Sequence, residues 1–82
     1  VNANIFVYPI PAKDKLMVVL ENTSEIIESI SIVDIVGKSI KTISNISNSK
    51  TDIDITGFNS GIYYIRIKSS LNHYIKNFMV KN

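Results

Sequence analysis

Short runs in which apolar and polar residues alternate are the feature that most restricts how this 82-residue chain folds. No segment sustains the 3.6-residue apolar period of a helix, and isoleucine, valine and tyrosine dominate the runs. Such β-branched and aromatic side chains favour pleated, half-buried strands. In the run Ile62–Lys68, for example, Tyr63, Ile65 and Ile67 share one face. The pattern therefore predicts strands and no helix.

Seven such runs are separated by turn residues, at the spacing expected of an all-β sandwich. The predicted strands are Ile5–Tyr8, Lys15–Leu20, Glu28–Ile35, Ser39–Ile43, Thr51–Ile55, Ile62–Lys68 and His73–Val80. We therefore expect an all-β fold, a seven-stranded immunoglobulin-like antiparallel β-sandwich. The chain has no cysteine and no tryptophan, so the resemblance to antibody domains is limited to architecture.

Three local details are also predicted. The apolar phase changes within the third run, between Ile32 and Val33, which indicates a bulge or a switch between sheets. Gly37 follows a β-branched residue in the next turn, which favours a type I turn with a left-handed glycine. Tyr63 follows a compact corner, where its hydroxyl either ties the corner backbone or leaves the ring as plain core.

Length and composition exclude several classes of protein. The chain is long enough for one domain. Without cysteine it has neither disulfides nor a thiolate metal site. Its longest apolar runs, such as Leu16–Leu20, are too short to span a bilayer, and the pattern of a signal peptide is absent.

Charge is distributed unevenly around a net value of +2. All seven acidic residues lie at or before Asp54, and the charged residues after it are Arg66, Lys68, Lys76 and Lys81. This basic final third fits an acidic partner, or else a solvated strand face whose lysines discourage edge pairing. The basic residues are too few and too scattered for nucleic-acid binding.

The sequence contains no arrangement of residues that predicts catalysis. His73 lies in a polar stretch without an oriented nucleophile or carboxylate beside it. Asp52 and Asp54 share a strand face but lack the further oxygen ligands that calcium needs. Gly57 and Gly61 do not lead from a strand into a helix, as a phosphate-binding loop requires. We therefore expect no enzyme activity, no cofactor and no metal.

Three segments, in order, resemble a known family. They are Val7–Leu16, with prolines at 9 and 11; Ile32–Lys38, with an Asp-x-x-Gly-Lys turn; and Ile55–Ile65, with the corner before Tyr63. Together with a last strand that runs to the end of the chain, they resemble the type A C-terminal sorting domain of type IX secretion. Ile10 stands where that family usually has asparagine, Phe58 where it has leucine, and Asn77 where lysine is common. Lys76 supplies a charge nearby, on the opposite strand face.

The resemblance implies a non-catalytic signal domain. Residues 1–4 would be the linker remnant from an upstream cargo domain, and residues 5–82 the sorting domain. The implied partners are the cargo in the same polypeptide and the type IX machinery, meaning translocon, shuttle protein and surface sortase, with no nucleic acid, cofactor or membrane insertion. The cargo would pass through the periplasm to the outer-membrane surface or the medium of a Gram-negative bacterium, and the sortase would typically remove the domain.

The last hairpin and the proline turn are the predicted recognition surface, because a terminal strand with lysines offers backbone groups for strand addition and charge for steering. The candidate residues are Pro9, Pro11, Gly37, Lys38, Gly61, Tyr63, Arg66, Lys68, Lys76, Asn77, Phe78, Val80 and Lys81. A core position is the alternative for Phe78 and Val80, and the one we favour.

Two other functions remain open from the sequence. One is a generic immunoglobulin-like spacer or adhesion module. The other is a carbohydrate-binding module, which needs exposed aromatic rings in a row. Tyr64 and Tyr74 are the candidates for such a row if their strands pair.

Overall fold

The computed structural model describes residues 4–21 and 24–82, and these form seven strands. The strands are β1 (Asn4–Tyr8), β2 (Lys15–Glu21), β3 (Ile27–Asp34), β4 (Ser39–Ile43), β5 (Lys50–Asp54), β6 (Gly61–Ser69) and β7 (His73–Val80). Each predicted strand is present, with bounds shifted by at most one residue. Asn4, assigned from sequence to the linker remnant, is the first residue of β1, and residues 1–3 lie outside the described part. None of the described residues forms a helix that could cross a membrane.

The strands form two sheets with the orders β1-β2-β5 and β4-β3-β6-β7, and every pairing between strands is antiparallel. The inner faces of both sheets meet in one apolar core. Its largest buried side chains are Leu16, Ile27, Ile30, Ile32, Ile53, Ile55, Ile65, Ile67, Val18 and Val80. The predicted all-β sandwich is therefore confirmed.

Alternation in the sequence translates directly into burial. On β2, Leu16, Val18 and Leu20 point into the core, while the residues between them are only half-buried. A strand places successive side chains on opposite faces, so one apolar phase is enough to fix which face packs inward. β6 shows the same alternation over nine residues.

β3 contains the predicted irregularity. Its register with β4 shifts between Ile32 and Val33, and both of these neighbouring side chains are buried. A bulge permits this, because two residues of one strand then oppose a single residue of its partner. On β4, whose phase was ambiguous in sequence, Lys41 lies opposite Ile32, and its ammonium donates to the Asp54 carbonyl at 2.6 Å.

Two tight connections have the predicted geometry. Gly37 has φ +89°, and its N–H donates to the Asp34 carbonyl at 3.0 Å, which closes a turn that needs a left-handed residue. In the corner before β6, the Tyr63 hydroxyl donates to the Asn59 carbonyl at 2.7 Å. Tyr63 therefore ties the corner and also fills the core, where it is 8% exposed.

Candidate recognition site

The proline turn and the last strand, which are far apart in sequence, meet in the fold. Ala12 forms a parallel bridge to Val80, donating its N–H to the Met79 carbonyl at 2.7 Å and accepting from the Lys81 N–H at 2.9 Å. Pro9 and Pro11 precede this contact, and both are preceded by cis peptide bonds. Two parts of the predicted recognition surface are therefore neighbours.

Three of the predicted recognition residues are part of the core. Tyr63, Phe78 and Val80 are at most 8% exposed. The Tyr63 ring centroid lies 5.3 Å from that of Phe58 and 5.6 Å from that of Phe78. These side chains hold the two sheets together and are not accessible to a partner of the folded domain. The core position favoured for Phe78 and Val80 is confirmed.

The exposed side of the last hairpin is a mixed apolar and basic surface. It carries alternate residues of two paired strands, which we call the outer hairpin face: Ile62, Tyr64, Arg66 and Lys68 of β6, with Ile75, Asn77 and Met79 of β7. Four of these are large apolar residues that are 38–66% exposed. Exposed apolar patches rimmed by polar groups commonly mark interaction sites.

Ile10 extends this surface towards the proline turn. It is 55% exposed and lines a shallow depression with Ile62, Asn77 and Met79. In this chain an apolar side chain therefore continues the apolar part of the outer hairpin face.

The turn between β3 and β4 flanks the same face. The Asp34 carboxylate accepts the N–H groups of Val36 at 3.1 Å and Lys38 at 2.9 Å, which fixes the turn. Residues 33–37 line a depression together with Tyr64, Arg66 and Ile75. The strand order β4-β3-β6-β7 thus brings the Gly37–Lys38 segment close to the outer hairpin face.

Gly61 and Asn77 complete the set of predicted residues. Gly61 lies opposite Val80 at the start of β6. Asn77 lies opposite Tyr64 on the outer hairpin face. Lys76 lies opposite buried Ile65 and therefore belongs to the other face of β7, as the sequence predicted.

Most cations of this region are not neutralised within the domain. Lys68 Nζ lies 3.9 Å from Glu28 Oε1, at the limit of an ion pair. Among residues 4–21 and 24–82, Arg66, Lys76 and Lys81 take part in no ion pair. The hairpin therefore presents a positive field to solvent that a partner with acidic groups would complement.

A buried carboxylate supports this hairpin, and sequence reasoning did not identify it. Glu25, 5% exposed, accepts hydrogen bonds from Ser69 Oγ, from Asn72 Nδ2 at 3.0 Å and from the Tyr74 hydroxyl at 3.0 Å. Burial and the neighbouring Glu25 carboxylate raise the pKa of Tyr74. The hydrogen bonds of Glu25 have a structural role, because they fix the turn between β6 and β7. The local sequence around Glu25 gives no signal for it.

The remaining polar candidates lie on two strands that belong to different sheets. His73 is exposed at the start of β7, and Asp52 and Asp54 point outward from β5. The Asp54 carboxylate accepts the Thr56 N–H at 2.9 Å, and hydrogen bonds from Thr56 lower the pKa of Asp54. Within the described part of the chain, no three His, Cys, Asp or Glu side chains are placed to hold a metal ion.

Tyr64 and Tyr74 do not form the aromatic row expected of a carbohydrate-binding module. β6 and β7 do pair, but Tyr74 lies opposite Ile67 on the inner face, whereas Tyr64 lies opposite Asn77 on the outer hairpin face. The Tyr74 hydroxyl is also held by Glu25. The two rings therefore do not form the exposed row that this function requires, and the expectation that they share a surface is wrong.

Comparison with known proteins agrees with the fold and with the resemblance seen in the sequence. No curated protein matches the chain. The family model of the secretion system C-terminal sorting domain matches residues 6–81, which include the last three residues of β1, all of β2 to β7 and both tight connections. The resemblance drawn from the three sequence segments is thereby confirmed. Since the match covers nearly the whole sequence, the chain belongs to the family of type IX secretion system C-terminal sorting domains.

Proposed function

We propose that this domain is a non-catalytic address that directs a cargo protein in the same polypeptide through the type IX translocon of the outer membrane. The observation that carries the proposal is the match of the sorting-domain family to residues 6–81. Its partners are the translocon, the shuttle protein and the surface sortase. The route leads through the periplasm to the cell surface or the medium of a Gram-negative bacterium.

We assign recognition to the outer hairpin face, the proline turn and the Gly37–Lys38 turn. These parts are adjacent and exposed, they carry the cations Lys38, Arg66 and Lys68, and they border an apolar strip. A partner that binds here buries apolar surface against the strip, which stabilises the complex. The cations attract acidic groups of the partner and speed its association. Tyr63, Phe78 and Val80 contribute by keeping the surface folded.

Removal by a sortase fits the start of the sandwich. β1 begins at Asn4, where it pairs with Glu21, and every core residue lies after that point. A cut before Asn4 separates the cargo from the domain and leaves the seven described strands intact. We therefore place the linker remnant before Asn4 and the sorting domain from β1 onward.

Export of a reporter tests this function. Residues 1–82 are fused behind a fluorescent protein that carries a signal peptide, in a type IX-competent bacterium and in its translocon-null twin. We expect the reporter at the surface or in the medium only when the translocon is present. A reporter that remains periplasmic in both strains contradicts the proposal and favours the spacer interpretation.

A matched pair of charge reversals tests the surface. Arg66→Glu changes the outer hairpin face, whereas Lys50→Glu makes the same charge change on exposed β5 of the other sheet. We expect several-fold lower export for the first variant and unchanged export for the second, with circular dichroism confirming that both fold. Equal export by both variants would remove Arg66 from the recognition surface.

A further inference from the structure

The last strand has one open side. β7 pairs with β6 along its whole length, and its other side is covered at one end by Ala12. Along the rest of that side, residues His73–Asn77, no strand among the described residues pairs with it. We call this segment the open β7 edge.

The backbone groups of this edge point away from the sandwich. The Met79 carbonyl accepts from Ala12, so the polar groups of Met79 face away from β6. In an antiparallel ladder this direction alternates by residue. Asn77, Ile75 and His73 therefore also present their N–H and C=O groups outward, as a template for a further strand.

Side chains on the two faces of this edge differ in chemistry. Ile75 is 66% exposed on the outer hairpin face. Lys76 lies on the opposite face of β7, is exposed, and forms no ion pair in the described part of the chain. A strand laid along the edge would thus meet an apolar side chain on one face and an ammonium on the other.

We propose that the open β7 edge binds an extended segment of a partner protein whose side chains alternate between apolar and acidic. The apolar side chains lie beside Ile75, and the carboxylates lie beside Lys76. Period-two alternation makes both contacts available to one strand. This deepens the proposed function by specifying the chemistry of a partner at the recognition surface, and it rests on that function only in placing the partner in the export machinery.

Charge favours this occupant over a second copy of the chain. Two open β7 edges brought together would place like charges from Lys76 and from Arg66 of each copy near one another. The other edge strands are poorer sites for an acidic segment. β1 carries no charged side chain, and β5 carries Asp52 and Asp54 beside Lys50. β4 carries Lys41, but its ammonium already donates to the Asp54 carbonyl at 2.6 Å.

Binding of a designed peptide to the 82-residue chain tests the proposal. The probe is an end-blocked heptapeptide of alternating valine and glutamate, followed by NMR on isotope-labelled protein. We expect amide shifts centred on His73–Asn77 and slower hydrogen exchange at the amides of Ile75 and Asn77, which become hydrogen-bonded. Peptides with lysine in place of glutamate, or with alternate backbone nitrogens methylated, should not bind.

Protein variants separate the charge from the backbone contribution. Lys76→Glu should weaken binding by about five- to tenfold, because an attractive cross-strand pair becomes repulsive. Lys50→Glu on β5 should leave binding unchanged. Ile75→Pro removes an outward N–H without touching the β6 ladder, so it should abolish binding, while Ile75→Thr should retain most of it. If the proline variant fails to fold, the methylated peptide makes the same test.

Several results would overturn the inference. These are no binding at millimolar peptide, shifts centred on another edge, equal binding of the lysine peptide, or self-association of the protein through β7. Translocon-dependent export without peptide binding would leave the proposed function standing and remove this inference. Peptide binding without translocon-dependent export would leave this inference standing and contradict the proposed function.

Discussion

A single side chain, Tyr63, links the corner before β6 to the core. Its ring packs between Phe58 and Phe78, and its hydroxyl donates to the Asn59 carbonyl. The sequence left two roles open for this residue, and the structure combines them. The Tyr63 ring fills part of the core, and its hydroxyl fixes the backbone of the corner between Asn59 and Tyr63.

Replacing Tyr63 by phenylalanine measures the contribution of the hydroxyl alone. The ring contacts remain, but the partly buried hydrogen bond to Asn59 is lost. We expect the free energy of unfolding to fall by about 1–2 kcal/mol, the usual cost of removing one partner of such a bond. Denaturant unfolding with an unchanged m-value measures this loss.

The neighbouring Tyr64→Phe variant is the matched control. Tyr64 is 38% exposed on the outer hairpin face, so removal of its hydroxyl should change stability by less than about 0.5 kcal/mol. If the two variants lost the same stability, the hydroxyl of Tyr63 would not be what fixes the corner.

At the scale of an element, the β6–β7 hairpin is held in place by residues that precede β3. Glu25 accepts from Ser69, Asn72 and Tyr74, while the Ser70 N–H donates to the Ile26 carbonyl at 2.9 Å. The segment before β3 therefore supports the turn that starts β7. This support keeps the open β7 edge in place beside β6.

The raised pKa of Tyr74 predicts how this support depends on pH. Burial, followed by the Glu25 carboxylate, favours the protonated phenol in the folded state. A pKa raised on folding means that the contribution is complete below the ordinary tyrosine pKa of about 10 and is lost as pH rises through the raised value. Tyr74→Phe should therefore be less stable than the parent at about pH 8, and the gap should narrow by about pH 11.

Unfolding free energies of the two proteins at these pH values make the measurement. Ionisation of lysines and of the other tyrosines affects both proteins alike, so the difference isolates Tyr74. A gap that does not change with pH would contradict the link between Tyr74 and Glu25.

At the scale of the whole molecule, the last residues complete the sandwich. Phe78 and Val80 are buried, Lys81 bonds to Ala12, and the Asn82 side-chain amide donates to the Phe58 carbonyl at 2.9 Å. Both sheets and the corner before β6 therefore meet at the end of β7.

Deleting residues 78–82 should consequently abolish cooperative unfolding. Loss of a buried phenylalanine alone typically costs about 3–5 kcal/mol. A domain of this size has a total stability of only about 4–12 kcal/mol. Thermal melts followed by circular dichroism test this, with deletion of Asn82 alone as the control that keeps a cooperative transition. A cooperative melt of the longer deletion would contradict the prediction.

Most of the fold was predictable because each strand carries its own alternation. The inner faces of β2 and β6, the bulge in β3 and the left-handed Gly37 are each determined by residues close together in the sequence, so the local pattern was enough to predict them. The buried Glu25 was not predictable, since its partners lie 44–49 residues away and no local pattern marks it.

The recognition surface was predictable only in part, for the same reason. Exposure of Arg66 and Lys68 follows from the phase of β6. The contact of Ala12 with β7 and the position of the Gly37 turn beside Tyr64 depend on strand order, which alternation does not encode. The predicted tyrosine row does not form, because the two rings lie on different faces of the β6–β7 pair. Tyr64 is on the outer hairpin face opposite Asn77, whereas Tyr74 is on the inner face opposite Ile67.

The bridge between Ala12 and β7 also has a mechanical meaning. Its two hydrogen bonds join the chain just after β1 to the last strand, with both segments running in the same direction. Tension between Asn4 and Asn82 therefore acts along the strands and loads these bonds together, in shear, instead of opening them one at a time. Machinery that pulls on both ends must break this clamp before β7 can leave the sheet, whereas machinery that carries the domain folded need only admit a body with Cα extents of 35 × 22 × 19 Å.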